Sequence, residues 1–501
     1  MDFLAFDYAQ FLAGIKMDFL SLDYVQFLIG TTIIYWLVPN LQMRLLVILT
    51  ASLIFYSFIQ RQYVALLIVM LAINYWLGGE IRKGDQFLRQ WLLFVGIFFN
   101  VLLLFGFKYI PFVATVIGNI TGLPAGSSLA IWAKSNIVPP ITLSFFVFEL
   151  IAYLVDIYRG SSPAKNFLSF AAYKLFFAKL LSGPITRYPE FAPQLTIQLT
   201  MRSRPMLTDI IEGIWLFACG AVKKGIIADN MAQLVDLCFR NVGRAGSVDL
   251  WIALLAYGIQ IYCDFSGYID MARGSALLLG IKLPQNFDFP YFSASISDFW
   301  RRWHMTLGAW VRNYLYIPLG GSRGGLWRTC LNLMIIMVLV GLWHGANWGF
   351  IIWGVWHGAA LVGHRLWMEV CSVFENLHKI WKPIPMQILA IAMTQLIVFL
   401  GWIPFRLPNV NDTQMFLQRL WGYESDPQFG VKIYVESLGI TIGQIALLMF
   451  GIFIASLVAY RCDRAKWQLH WQVKLFLVPI SLFLVSILSP DKKLPFIYFD
   501  F

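Results

Sequence analysis

A chain of 501 residues with 59% apolar and 13% charged residues and a mean hydropathy of +0.68 has too little charge to cover a water-soluble body, where about 25% is usual. Its formal net charge of +11 falls in short segments between apolar runs, which suits an anionic membrane leaflet and argues against a nucleic-acid partner. The six cysteines (Cys219, Cys238, Cys263, Cys330, Cys371 and Cys462) form no CxxC and no metal-ligand spacing, which excludes a disulfide framework or a thiol redox centre and leaves them as core filler.

The chain opens on a duplication. Residues 1–14, MDFLAFDYAQFLAG, recur as 17–30, MDFLSLDYVQFLIG, with ten identities at a period of 16. One short copy is neither a solenoid nor an inverted transporter repeat, and neither copy has the basic start of a signal peptide. Residues 1–16 are given no function, and 17–501 are expected to form a single membrane domain.

A membrane-crossing helix needs roughly 20 apolar residues. Candidate spans lie near 24–39, 42–59, 62–79, 90–111, 138–158, 207–226, 250–280, 327–344, 348–366, 385–405, 439–460 and 473–490, with shorter apolar stretches near 168–183 and 300–316. The expected fold is all-α and polytopic: about eleven or twelve spans, plus short re-entrant or interfacial helices, around a central chamber. Segments 80–90, 159–206, 301–328, 365–383 and 461–474 carry Lys and Arg, whereas 112–137 has only Lys134 and 407–438 is slightly acidic. Short basic loops stay in the cytoplasm, so the basic segments are expected inside and the C-terminus outside.

Polar residues inside the apolar runs are the candidates for function, because an ionisable group at membrane depth is costly. YCDFSGYIDMARG (262–274) puts Asp264, Asp270 and Arg273 in one long helix. Asp270 and Arg273 are spaced to pair. The three read as a relay or ion site, or as a structural polar network lining a chamber.

Residues 294–358 hold eight of the twenty tryptophans. Over 297–315 a helix is expected, with Ser297 as N-cap. It would gather Trp300, Trp303, His304, Leu307, Trp310, Val311 and Tyr314 on one face, with Asp298, Arg301, Arg302, Arg312 and Asn313 on the other. Such a helix suits a membrane interface. His304 is then either a core histidine satisfied by a neighbouring helix or an active-site group. IPLGGSRGG (317–325) is a glycine-rich turn without the order of a phosphate loop. It is a plain interfacial turn or, with Arg312, Arg323 and Arg328 nearby, a site for an anionic donor.

His344 closes the nearly uncharged run LNLMIIMVLVGLW (331–343), and Gly345 and Ala346 after it leave room for a substrate. Burial disfavours imidazolium, so this ring suits a general base. The competing roles are a helix-end hydrogen bond and a metal ligand. His357 and His364 are the candidate metal partners, but no acidic or thiol ligand stands at metal spacing, so no metal is expected.

FWRRWHMTLGAWVRNYLYIPLGGSRGG followed by LVGLWHGANWGFIIWGVWHG resembles the signature region of the membrane-bound O-acyltransferases, in particular the branch of the alginate O-acetyltransferase membrane subunit. LSFFVFELIAYLVDIYRG (143–160), LSGPITRYPEF (181–191), GAVKKGIIADN (220–230), YCDFSGYIDMARG and the terminal PFIYFDF extend the resemblance over nearly everything after about residue 20. The resemblance implies that His344 is the catalytic histidine and His304 a second active-site residue. Asn313 stands where many members carry an acidic residue, so an acidic partner is not implied there. Asn347, in the WHGAN stretch, joins Asn313, Asp264, Asp270 and Arg273 as a candidate lining residue.

The resemblance further implies an enzyme of the bacterial inner membrane that needs no prosthetic group. It would move an acyl group, acetyl above all, from a cytoplasmic thioester such as acetyl-CoA to a hydroxyl outside. A periplasmic or extracellular acetyltransferase partner would complete transfer to a polysaccharide such as alginate. Peptidoglycan acetylation, teichoic-acid D-alanylation from a carrier protein, and transfer to lipid or protein are the alternatives within the class. A secondary transporter would also be polytopic and basic, but the matching interrupted helices it requires are not found in the two halves.

Overall fold

The computed structural model describes residues 17–121, 128–129, 131–133, 136–195, 205–490 and 494–497; the duplicated segment 1–16 lies outside them. The described residues are built from helices, with no β-strand among them. Among the described residues, seven helical stretches are long and apolar enough to cross a membrane: Leu41–Lys83, Gln86–Lys108, Ser247–Leu278, Gly325–His344, Ile384–Arg406, Ile442–Arg464 and Trp471–Leu488. The first contains two expected spans, because the turn Arg61–Tyr63 divides it.

The other four expected spans are helical but do not meet that standard. Leu22–Leu37 and Leu143–Tyr158 have 16 residues each, about 24 Å of helix against a hydrocarbon core of about 30 Å. Leu207–Ala221 gives way to a wide turn, Val222–Ala228. Trp348–Val373 is long enough but carries His357, His364, Arg365 and Glu369. The chain is thus an all-α, polytopic integral membrane protein, with fewer full-length apolar helices than the hydropathy pattern suggests.

The principal helices are α1 (Leu22–Leu37), α2 (Leu41–Gln60), α3 (Val64–Lys83), α4 (Gln86–Lys108), α5 (Leu143–Tyr158), α6 (Leu207–Ala221), α7 (Ser247–Leu278), α8 (Ile296–Arg302), α9 (Met305–Val311), α10 (Gly325–His344), α11 (Trp348–Val373), α12 (Ile384–Arg406), α13 (Ile442–Arg464) and α14 (Trp471–Leu488). Their starts are chemically marked. Ser21, Asn40 and Asp85 each accept a backbone N–H of the first turn of α1, α2 and α4, and Thr441 with Gln444 forms a capping box on α13, satisfying donors that a helix start leaves open.

Two compact units emerge. Of the described residues, the first comprises those in 17–221, 268–284 and 494–497; the second, 222–267 and 285–490. Helix α7 therefore lends 268–278 to the first and 247–267 to the second.

In the first unit nearly every side chain of α5 is buried, and α5 packs on α3 and α4. Glu149 of α5 accepts hydrogen bonds from Lys174 Nζ at 2.8 Å, Lys179 Nζ at 2.7 Å and the backbone N–H of Thr186 at 2.8 Å. All three charged side chains are buried, and the two ammonium groups also lie over the rings of Phe146 and Tyr173.

In the second unit α10 and α11 form a close antiparallel pair. A Cβ on Gly341 would lie 2.2 Å from the carbonyl oxygen of Phe350, and one on Gly354 would lie 2.5 Å from that of Met337. Only glycine permits this backbone-to-backbone approach, and it sets where α10 ends.

Candidate functional site

His344 is the last residue of α10 and is 3% exposed. Its ring lies 4.7 Å from that of Trp343, 5.1 Å from Trp353 of α11 and 4.9 Å from Phe405 of α12, the last two edge-on. An apolar run that ends in a histidine folds this way because α10 carries the imidazole to the point where α11 and α12 converge. The room expected beside it at Gly345 is taken: a Cβ there would lie 2.1 Å from the Phe350 ring. Gly345 accommodates an aromatic side chain of this same protein, and the expectation of free space for a substrate at that position is corrected.

The single helix expected over 297–315 is two helices. Residue Ser295, not Ser297, caps α8 by accepting the N–H of Asp298. Between α8 and α9, His304 adopts φ +45°, a left-handed conformation uncommon outside glycine. The burial pattern survives the break: Trp303, His304, Leu307, Trp310, Val311 and Tyr314 are buried, Arg301 and Arg312 exposed.

The break is held by a loop that the sequence reading passed over. Asn286 is fully buried, and its Oδ1 accepts the backbone N–H of Thr306 at 2.9 Å and the Thr306 hydroxyl at 2.9 Å, with His304 Nδ1 at 3.2 Å. The N–H of Met305 donates to the Asn286 carbonyl and that of Asp288 to the Arg302 carbonyl. Because Oδ1 can only accept, it assigns the ring proton to Nδ1 and the lone pair to Nε2. Burial pushes the His304 imidazole down to about 3, so at neutral pH the ring is an uncharged base.

Both histidines border one aromatic cluster. Trp303, next to His304, lies 5.1 Å from Trp402 of α12; Trp402 lies 5.4 Å from Phe405, which meets His344. Trp300 of α8 lies 5.6 Å from Trp353. Phe265 of α7 closes on His304 at 4.8 Å. His357 joins from α11, fully buried among Trp300, Trp353 and Trp402. Among the described residues no three His, Cys, Asp or Glu gather as a metal site.

Asp264 lies on the part of α7 that belongs to the second unit. It pairs with Lys224 at 2.6 Å, which also pairs with Asp229 at 2.8 Å, all three buried in the second unit, whereas Asp270 and Arg273 pair at 3.5 Å in the first. Lys224 sits in the wide turn after α6, within the expected span 207–226. A charged residue there calls for a partner, a signal that was legible and unused. Wide turns of this kind recur at functional sites.

Arg312, Arg323 and Arg328 are exposed, on or beside the glycine-rich turn. Arg328 donates to the Leu319 carbonyl, and Asn332 of α10 donates to those of Leu319 and Gly321, while Gly320, Gly321 and Gly325 take positive φ. The turn is thus pinned to the start of α10 with a basic rim. Asn313 and Asn347 are half-buried, Asn347 directly before α11.

With this geometry in view, comparison with known proteins is decisive. Residues 102–400, which take in both histidines and the glycine-rich turn, match the model of the MBOAT, membrane-bound O-acyltransferase family. The chain belongs to that family. A probable alginate O-acetylase AlgI of Pseudomonas putida is 34% identical over 480 residues, covering 91% of this chain and 94% of the relative. Another, from Azotobacter vinelandii, is 37% identical over 382 residues, 75% of this chain and 72% of the relative. A peptidoglycan O-acetyltransferase of Helicobacter pylori is 34% identical over 403 residues, 74% and 72% respectively. This O-acyltransferase is therefore an integral membrane enzyme whose fold places two buried histidines on a shared aromatic cluster.

Proposed function

We propose that this O-acyltransferase moves an acetyl group from a thioester, acetyl-CoA, to a hydroxyl destined for a polysaccharide outside the cytoplasmic membrane, with His344 as general base. The observation that carries the reading is the imidazole of His344, buried at the end of an apolar helix and enclosed by Trp343, Trp353 and Phe405. In such surroundings a neutral ring takes a proton without competition from bulk water. As the acceptor oxygen attacks the thioester carbonyl carbon, His344 takes the hydroxyl proton. The carbon–sulfur bond then breaks, the proton passes to the departing sulfur, and coenzyme A leaves as the thiol. His304, with its lone pair on Nε2, orients the acceptor or shares that proton. The exposed arginines 312, 323 and 328 suit the phosphates of the donor, and a partner acetyltransferase outside the membrane completes delivery.

The alginate O-acetylase names of the relatives support a polysaccharide acceptor. The Helicobacter pylori relative favours a second reading, in which the chemistry is the same and the acceptor is peptidoglycan.

The test uses protein reconstituted in vesicles and supplied with radiolabelled acetyl-CoA, and reads transfer or hydrolysis of the labelled acetyl group. His344→Ala should lower transfer by about 10²–10⁴-fold, the usual contribution of a general base, with its elution profile unchanged. A folded variant that retains the parent rate would end the assignment.

A further inference from the structure

Within the second unit, α7, α12 and α13 enclose a cleft of about 780 Å³ that contains neither His304 nor His344. Its walls are Ile252, Leu255 and Ile259 of α7, Ile388, Ile391 and Phe399 of α12, and Met449, Phe450 and Phe453 of α13, and the turn Phe289–Phe292 closes one side. The volume lies within the range of ligand pockets, about 300–1,000 Å³. The turn is tied to α7, since the Tyr291 hydroxyl donates to the Gly258 carbonyl at 2.6 Å.

We propose that this cleft binds one acyl chain of a phospholipid with an anionic headgroup. Two observations select that occupant. First, α12 and α13 are both long and apolar enough to span the bilayer, so the cleft lies at hydrocarbon depth. Water gains nothing from an apolar wall there, and hydrocarbon is the only other solvent present. Ile388, Phe450 and Phe453 remain more than half exposed within the protein and require such a cover.

Second, the cleft-lining face of α13 runs by helical spacing from Phe453 and Leu457 to Tyr460, Arg461 and Arg464. Tyr460 stacks on Phe292 at 4.7 Å, which places an aromatic residue at the level where headgroups begin. Arg464 is engaged by Asp288 at 2.6 Å. Arg461, one turn before it, and Lys466, just after it, are exposed, cations at the same end as the tyrosine, suited to a lipid phosphate. The wall formed by α13 lies outside residues 102–400 matched by the family model.

The experiment reconstitutes the full chain in phosphatidylcholine vesicles containing a trace of phosphatidylglycerol with a diazirine midway along one chain, and maps photoadducts by peptide mass spectrometry. Adducts should concentrate on 252–263, 388–399 and 446–457. They should fall several-fold in Ser456→Trp, which fills the cleft, and in the Arg461→Gln/Lys466→Gln double variant. Unlabelled phosphatidylglycerol should displace them and added phosphatidylcholine should not. Labelling of the outward face of α14 around Phe476 serves as the folding control and should stay constant. Adducts spread evenly over α13 and α14, or equal displacement by both lipids, would overturn the proposal.

Discussion

Removing the Asn286 side chain tests whether His304 is held by a long-range clamp or by its own helix. In Asn286→Ala, the Thr306 N–H and the His304 Nδ1–H lose the Oδ1 that accepts them, at a site where Asn286 and His304 are 0% and 2% exposed. The Thr306 hydroxyl can rotate towards another acceptor; the backbone N–H cannot. An unsatisfied buried donor costs about 1–3 kcal/mol, so two fixed donors should cost about 2–6 kcal/mol. The left-handed conformation at His304 adds to this, because it persists only while its surroundings impose it. Asn286→Asp, which keeps an acceptor oxygen at that point, should lose less stability than alanine despite its charge. The assay is the unfolding midpoint in mild detergent under titrated denaturant, paired with transfer rates in vesicles. Alanine should lower both. An alanine variant with the parent midpoint and rate would show that the contacts of Asn286 do not hold the junction.

Two further outcomes are expected. Glu149 is shared by Lys174 and Lys179, so Glu149→Gln strands two buried cations and should cost about 3–5 kcal/mol or prevent accumulation of folded protein. Lys174→Met leaves a one-to-one pair and should cost less; the reverse order in thermal midpoints would refute that account. The lysine and arginine distribution predicts a C-terminus outside, so a periplasm-active reporter fused after residue 501 should be active, and a silent one would overturn the orientation.

The apolar helices were legible because a run such as Leu331–Trp343 has few structures open to it in a bilayer: its backbone must bond to itself, and a helix does so within one segment. The same rule marked His344, where the uncharged run stops. What escaped was every feature fixed by a partner distant in sequence. Periodicity over 297–315 identified six of the seven expected inward side chains as buried and Arg301 and Arg312 as exposed, yet it missed the break at His304, because the residue that stabilises the break, Asn286, lies in a preceding loop where an asparagine reads as an ordinary turn former. Ser297 looked like the cap because it stands next to Asp298, but the hydroxyl that reaches the first-turn N–H is that of Ser295. Asp264, Asp270 and Arg273 share a helix and so looked like one network. Lys224, forty residues earlier, takes Asp264 into an ion cluster with Asp229.

The two histidines are positioned by unlike means, and the difference bears on how the site tolerates change. His304 depends on a polar clamp and a strained backbone angle, so its orientation is set by a few hydrogen bonds that a single substitution removes. His344 depends on packing: α10 and α11 meet backbone to backbone at Gly341 and Gly354, and the rings of Trp353 and Phe405 fill the space beside the imidazole. Close-packed contacts of this kind do not yield gradually. A methyl group at Gly341, one turn before His344, would press on the Phe350 carbonyl and push the helix end aside as a unit. A reacting geometry needs placement within about 0.5 Å, so with His344 in its proposed role such displacement of the still-buried imidazole is enough to disable it. The small residues one turn away from His344 therefore belong to the machinery that aims it, although none of them carries a group able to move a proton.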